Sequence, residues 1–234
     1  MALPKLNSAP SYKAKIPSTG EMITYRPYLV KEEKVLMIAF ETGDQKQALR
    51  AVVDTLKACV TEPIAMNTLT TFDIEYLFTQ IRSKSVGEVS TIGLKCSSCE
   101  AKNEVDIVIS EIEVSMPSVD KVIELTPNIS VEMQYPSYNS VLDMNLDGNE
   151  TELGFAMLTK CIAAILTEDE RIDTKDVPEK EVVEFIEEMT TDQFKKVSAF
   201  LQEMPSLQTN VEFSCISCGT SNSQTIKGIN DFLS

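Results

Sequence analysis

The sequence predicts an α+β fold in which a split zinc ribbon joins residues near 96 to residues near 215. Three observations support this class. Apolar residues recur with helical spacing in two blocks, one before residue 87 and one between residues 137 and 206. Between the blocks apolar residues alternate, as they do in β-strands. Two Cys-x-x-Cys motifs lie far apart along the chain, one in the strand block and one near the carboxyl end.

The first predicted segment, residues 1–87, contains a β-hairpin followed by helices. The stretches SYKAKI and MITYRPYLV are predicted strands, and Gly20 supplies the tight bend between them. A short helix is predicted over VKEEKVLMIAFE, where Gly43 is placed to end it. Apolar stripes at helical spacing predict two further helices, over DQKQALRAVVDTLKACV and TFDIEYLFTQIRSKS.

The rest of the chain divides into three predicted segments. Residues 88–136 form a β region that carries the first cysteine pair, with strands over EVSTIGLK, NEVDIVIS, KVIELTP and ISVEMQYP. Residues 137–206 form a helical region, in which the nearly all-apolar stretch LGFAMLTKCIAAIL is a predicted buried helix and Thr190 with Gln193 forms a capping box. Residues 207–234 carry the second cysteine pair and a tail that closes onto residues 88–110.

The cysteine pairs have the local pattern of zinc knuckles. Cys96 and Cys99 form one pair, and Cys215 and Cys218 form the other; each pair follows a short strand and precedes a small polar turn. Two independent redox-active or solvated pairs are the alternative. A thioredoxin-type pair begins a helix, however, and neither SSCEAKN nor ISCGTSN resembles a helix start. We therefore expect the four cysteines to bind one structural Zn²⁺.

The separation of the pairs is unusual but tolerable. They lie about 115 residues apart, whereas typical zinc ribbons keep them ~15–20 residues apart. Because loop-closure entropy grows only logarithmically, the longer loop adds roughly 1.5 kcal/mol. A structural Zn²⁺ contributes on the order of 10 kcal/mol, so the metal term dominates.

Two other features have simpler interpretations than a functional site. Cys59 and Cys161 lie in apolar helical stretches, where a free cysteine behaves as a small buried hydrophobe. The loop Asp143–Gly148 begins like an EF-hand, but Gly154 stands where the bidentate glutamate belongs. A polar turn is therefore favoured over a calcium site.

Composition argues against several classes of function. The chain has no histidine, which excludes every catalytic mechanism that needs an imidazole base. Four cysteine ligands would leave no open position on a zinc ion. We therefore expect no enzyme and no small-molecule substrate. A net charge of −15 without a Lys/Arg stripe argues against nucleic acid. No apolar run reaches the ~18–20 residues of a membrane span and MALPKLNSAP lacks a signal-peptide core, so we expect a cytoplasmic protein without membrane contact.

Several stretches together resemble the baseplate hub proteins of T-even-type bacteriophages. They are MALPKLN, PSTGEMITYRPYLVKEEKVL, FDIEYLFTQIRSKSVGEV, FLQEMPSL, EFSCISCG and INDFLS. The resemblance implies a non-enzymatic protein that helps to build the baseplate hub, either as an assembly factor (a chaperone) or as a hub subunit. Its partners would be other hub proteins, and its location the cytoplasm of the infected bacterium or the tail baseplate of the virion.

The candidate partner-binding residues are Tyr25, Arg26, Tyr28 and Phe232. Tyrosine and arginine are enriched among the residues that dominate binding energy at interfaces. The alternative is that the tyrosines pack on the inner face of the hairpin and that Phe232 covers the core. An alternative function is a zinc-ribbon regulatory or transcription-associated binding protein, although the acidic charge disfavours direct contact with nucleic acid.

Overall fold

A computed structural model confirms the α+β class. It describes residues 10–66, 68–144 and 149–228. The chain divides into two compact units, the first formed by residues 1–66, 72–115 and 206–234 and the second by residues 67–71 and 116–205. Both cysteine pairs belong to the first unit. The four-segment organisation along the chain stays a prediction.

The first unit begins with the predicted hairpin. Strands β1 (Tyr12–Lys15) and β2 (Met22–Tyr25) pair antiparallel. Gly20 has a φ of 76°, a conformation that glycine adopts without the steric cost that a side chain would add. Three helices follow the hairpin: α1 (Val30–Glu41), α2 (Gln45–Cys59) and α3 (Thr71–Ser85).

Two further hairpins of the first unit position the cysteines. They are β3 (Val89–Lys95) with β4 (Lys102–Val108), and β10 (Ser206–Ser214) with β11 (Ser221–Lys227). A short strand, β5 (Glu113–Ser115), pairs with the start of β10. One buried cluster takes apolar side chains from both hairpins and from the segments between and beside them: Ile92, Ile107, Ile109, Ile112, Leu207, Val211 and Ile226. This shared core packs together the two hairpins whose turns carry the cysteines.

In its described residues, the second unit contains one four-stranded antiparallel sheet and four α-helices. The strands, in spatial order, are β6 (Val122–Thr126), β7 (Ile129–Met133), β8 (Ile162–Thr167) and β9 (Arg171–Asp173). The helices are α4 (Tyr138–Leu142), α5 (Glu150–Cys161), α6 (Glu179–Glu187) and α7 (Thr191–Gln202). Thr190 and Gln193 form the predicted capping box at the start of α7. Val131, Leu158, Val197 and Phe200 are central to the core of this unit.

The predicted helix over LGFAMLTKCIAAIL is wrong in its second half. Helix α5 ends at Cys161, and Ile162–Thr167 forms β8 between β7 and β9. A short apolar run suits a buried central strand as well as a buried helix, and β-branched residues favour the strand. In the acidic stretch that follows, Arg171–Asp173 forms β9, which pairs with β8. Among the helices that the structure describes, none has the length and apolarity needed to cross a bilayer.

Candidate metal centre

The four predicted cysteines meet at the ends of the two hairpins. Cys96 and Cys99 lie in the turn between β3 and β4, and Cys215 and Cys218 lie in the turn between β10 and β11. The four sulfur atoms are all within 4.8 Å of one another. Two pairs cross between the turns: Cys96 Sγ lies 3.7 Å from Cys218 Sγ, and Cys99 Sγ lies 3.6 Å from Cys215 Sγ. The two turns and their cysteines are called the first and second knuckle below, and together the cysteine clip.

The sulfur geometry fits a tetrahedral metal ion. A Zn–S bond of ~2.3 Å places the sulfurs of a regular tetrahedron ~3.8 Å apart, close to both cross-knuckle distances. The same distances are far longer than the ~2.05 Å of a disulfide bond, and all four cysteines are free. A donor set of four thiolates favours a soft or borderline ion such as Zn²⁺ over Mg²⁺ or Ca²⁺.

The two knuckles have the same backbone geometry. Each is closed by two backbone hydrogen bonds of 2.9–3.0 Å: Cys96 N–H to Ala101 O, Glu100 N–H to Cys96 O, Cys215 N–H to Thr220 O, and Gly219 N–H to Cys215 O. The residue after the second cysteine has a positive φ in both turns, 58° at Glu100 and 74° at Gly219. The tight turn brings both cysteines of a knuckle to one side, where they can face a single ion.

Backbone N–H groups favour the thiolate form of Cys96 and Cys215, which are called the inner cysteines of the clip. N–H groups of Cys99 and Ser98 point at Cys96 Sγ and lower the pKa of that thiol to about 6. N–H groups of Cys218 and Ser217 likewise lower the pKa of Cys215. These two cysteines are also the buried members of the clip, at 2% and 3% exposure.

The sulfur of Cys99, one of the two exposed cysteines of the clip, shows what a cation must supply. For Cys99, the Ala101 N–H lowers the pKa, but hydrogen bonds with the sulfurs of Cys218, Cys215 and Cys96 outweigh it and raise the pKa to about 12. The thiol of Cys99 therefore keeps its proton at neutral pH unless a positive charge lies between the sulfurs. A divalent cation would replace that proton and neutralise part of the thiolate charge. Four sulfurs fill a tetrahedral shell, so the site is closed and suits a structural ion.

Two asparagines of the clip were missed by sequence reasoning. Asn103 and Asn222 are buried, at 2% and 6% exposure, and bond across the knuckles. The signal in the sequence was their spacing, since each follows the second cysteine of its own pair by four positions.

Three of the four predicted partner-binding residues lie in or beside the first hairpin. Tyr25 is 2% exposed and belongs to the core of the first unit. Arg26 donates hydrogen bonds to the Glu32 carboxylate and to a backbone carbonyl of α2, and Tyr28 is half-buried. Phe232 lies outside the described residues. The role of these four residues in binding a partner stays a prediction.

The two remaining cysteines lie in helices α2 and α5. Cys59 and Cys161 are buried as expected, and burial raises the pKa of their thiols to about 11 and about 12, which keeps them protonated and unreactive. Most of the EF-hand-like loop, residues 145–148, lies outside the described residues.

Comparison with known proteins identifies the family. The family model described as T4 bacteriophage base plate protein matches residues 9–234. No curated protein and no solved structure matches the chain significantly. Since the family match covers nearly the whole sequence, including both knuckles, the chain belongs to the T4 bacteriophage base plate protein family.

Proposed function

We propose that this protein is a non-enzymatic assembly factor or subunit of the phage baseplate hub, which acts by binding other baseplate proteins and whose fold is fixed by Zn²⁺ in the cysteine clip. Membership of the baseplate family supports the setting. The closed four-sulfur site and the absence of histidine from the sequence support a role without catalysis. The observation that carries the contact role is the surface of α1.

Helix α1 carries apolar side chains on all sides along residues 35–40 but is buried on only one side. Its sequence is VKEEKVLMIAFE, and its buried side chains are Glu32, Leu36 and Ala39. Five large apolar side chains are exposed, and we call them the α1 surface: Val30 (77%), Val35 (52%), Met37 (58%), Ile38 (54%) and Phe40 (41%). A helix that is apolar all round is ordinarily covered by protein. Clustered exposed apolar side chains of this kind mark interaction sites.

The occupant that we propose for the α1 surface is a different baseplate protein. A second copy of this chain would bring together two molecules that each carry a net charge of −15, which opposes self-association. The same charge favours a partner whose apolar contact area is bordered by basic residues. Family membership supports a baseplate protein as that partner.

The proposal is tested by co-purification from infected cells. The double variant Val30→Asp, Ile38→Asp places two charges on the α1 surface, whereas Val86→Asp places one at an exposed apolar residue outside it. We expect wild type and Val86→Asp to co-purify with baseplate proteins and the double variant to lose them while still binding metal. Retention of the partners by the double variant contradicts the assigned surface. Failure of the wild type to associate with any tail protein, with normal tail assembly in its absence, contradicts the function.

A further inference from the structure

We infer that Asn103 and Asn222 are reciprocal positioning residues of the cysteine clip, each holding the knuckle of the opposite hairpin in its metal-binding shape. Asn103 lies in β4, which leaves the first knuckle, and Asn222 lies in β11, which leaves the second. The inference rests on the proposed metal role of the four cysteines. It concerns residues that no metal-ligand pattern would select, since neither amide is a ligand.

Each asparagine accepts a hydrogen bond from the opposite knuckle. Asn222 Oδ1 accepts from the backbone N–H of Ser97 and from its hydroxyl, both at 2.8 Å. Asn103 Oδ1 accepts from the backbone N–H of Ile216 at 2.9 Å. Ser97 and Ile216 directly follow the first cysteine of each pair. These bonds therefore fix the backbone between the two cysteines of each knuckle, which sets the direction of their sulfurs.

Each asparagine also donates to its own knuckle. Asn103 Nδ2 donates to Ala101 O, and Asn222 Nδ2 donates to Thr220 O, both at 2.8 Å. Those carbonyls also accept the N–H of the first cysteine in each pair. Asn222 Nδ2 lies 3.6 Å from Cys96 Sγ as well. Each buried amide thus bonds to both turns. This requires a side chain that carries both a hydrogen-bond donor and an acceptor, as asparagine does.

The hydrogen bonds between the two hairpins are reciprocal, as they are between two parts related by two-fold symmetry. Asn103 of the first hairpin holds Ile216 of the second, and Asn222 of the second holds Ser97, the counterpart of Ile216, in the first. The equivalence extends along the strands: Ile92 and Ile107 occupy the buried positions that Val211 and Ile226 occupy in the other hairpin. The chain therefore contains two copies of one strand–knuckle–strand unit, which share a metal site in the manner of an isologous pair.

The chemical consequence is a clip that is preorganised for the ion. Hydrogen bonds that orient ligands from outside the coordination shell typically change metal affinity by ~10–100-fold. Most of the bonds made by Asn103 and Asn222 reach backbone groups of the two knuckles, so they hold the knuckles together in addition to the sulfur–metal bonds. We expect loss of either side chain to weaken metal binding without changing the number of sulfur ligands.

The test compares Asn103→Ala and Asn222→Ala with Asn210→Ala in the full-length chain. Asn210 is exposed and bonds Thr225 Oγ1 within the second hairpin, so its removal deletes a hydrogen bond of the same hairpin that does not cross the clip. Zn²⁺ affinity is measured by competition with a chromophoric chelator, and the ligand set by the absorption spectrum of the Co²⁺ form. We expect ~10–100-fold weaker Zn²⁺ binding for the two clip variants, an unchanged four-thiolate Co²⁺ spectrum, and wild-type affinity for Asn210→Ala.

Amide hydrogen exchange in the metal-bound protein provides a readout that general destabilisation does not reproduce. Asn103→Ala is expected to accelerate exchange selectively at the Ile216 amide, and Asn222→Ala at the Ser97 amide. If either alanine variant does not fold, the aspartate variant, which keeps the acceptor and loses the Nδ2 donor, replaces it, and weaker Zn²⁺ binding is again expected. Wild-type affinity and unchanged exchange in the clip variants overturn the inference while leaving the metal site intact. Absence of metal binding in the wild type overturns the proposed zinc role itself.

Discussion

The sulfur of Cys96 lies 3.7 Å from the sulfur of Cys218, although the two residues are 122 positions apart in the chain. All of the second unit except residues 67–71 is inserted between the hairpins that carry them. Because loop-closure entropy grows logarithmically, this long insertion costs only roughly 1.5 kcal/mol more than a 20-residue loop. A structural Zn²⁺, at on the order of 10 kcal/mol, outweighs that cost. The ion would therefore add to the shared apolar core and to the pairing of β5 with β10 in holding the carboxyl-terminal hairpin to the middle of the chain.

Removing a buried sulfur should abolish stoichiometric metal binding. Cys96→Ser or Cys215→Ser leaves three thiolates around the ion, and we expect less than one Zn²⁺ per chain together with a lower free energy of unfolding and loss of partner binding. Metal content is measured by elemental analysis and stability by chemical denaturation.

Cys161→Ser is the matched control for the cysteine variants. This residue is a fully buried cysteine of the second unit, so its replacement lowers stability but should leave one Zn²⁺ per chain. A Cys96→Ser protein that keeps one tightly bound Zn²⁺ and full stability would refute the structural role of the clip.

Arg26→Met should destabilise the first unit. Arg26 lies 2.9 Å from the carboxylate of Glu32, which is only 7% exposed and also accepts the N–H of Leu29 at the start of α1. Since Lys31 also contacts this carboxylate, the expected loss is about 1–3 kcal/mol rather than the cost of a fully unpaired buried charge. Chemical denaturation measures it. The double variant Arg26→Met, Glu32→Gln should recover part of the loss, and no recovery would show that the ion pair is not the cause.

Glu75→Gln should stabilise the protein at neutral pH but not at acid pH. Burial raises the pKa of Glu75 to about 7, from 4.5. Between these values the folded state binds the proton and the unfolded state does not, so the contribution of Glu75 to stability is largest below pH 4.5 and falls as the pH rises to about 7. We expect Glu75→Gln to gain about 3 kcal/mol at pH 8 and nothing at pH 4. Equal effects at both pH values would contradict the buried, protonated state.

Phe200→Ala should damage the second unit and leave the metal content unchanged. Phe200 is 1% exposed and stacks on Tyr135 with ring centroids 5.4 Å apart. Deleting a buried aromatic ring typically costs about 3–5 kcal/mol. Chemical denaturation measures this loss. All four cysteines of the clip lie in the other unit, so the folded variant should still contain one Zn²⁺ per chain. Loss of the metal would show that the clip depends on this core.

Local sequence signals predicted the parts of the fold that depend on local chemistry. Gly20 ends the first hairpin turn, and the side chains of Thr190 and Gln193 start α7, because these residues act on backbone groups next to them in the chain. The cysteine clip was also predictable, although its members are distant, because Cys-x-x-Cys has few structural uses and four thiolates match one tetrahedral ion.

Contacts between distant segments explain what the sequence did not predict. Ile162–Thr167 is a strand because β7 and β9 lie on either side of it, and an apolar run does not report its neighbours. Asn103 and Asn222 appeared as ordinary polar residues, since their roles exist only when the two hairpins meet. The exposure of α1 was likewise invisible, because its apolar composition predicts burial.

X-ray absorption spectroscopy of the purified full-length protein at the zinc edge tests the central claim most directly. We predict one Zn²⁺ per chain with four sulfur neighbours at ~2.3 Å and no nitrogen or oxygen ligand. A protein without zinc, a shell with fewer than four sulfurs, or disulfides between Cys96 and Cys218 and between Cys99 and Cys215 would contradict it.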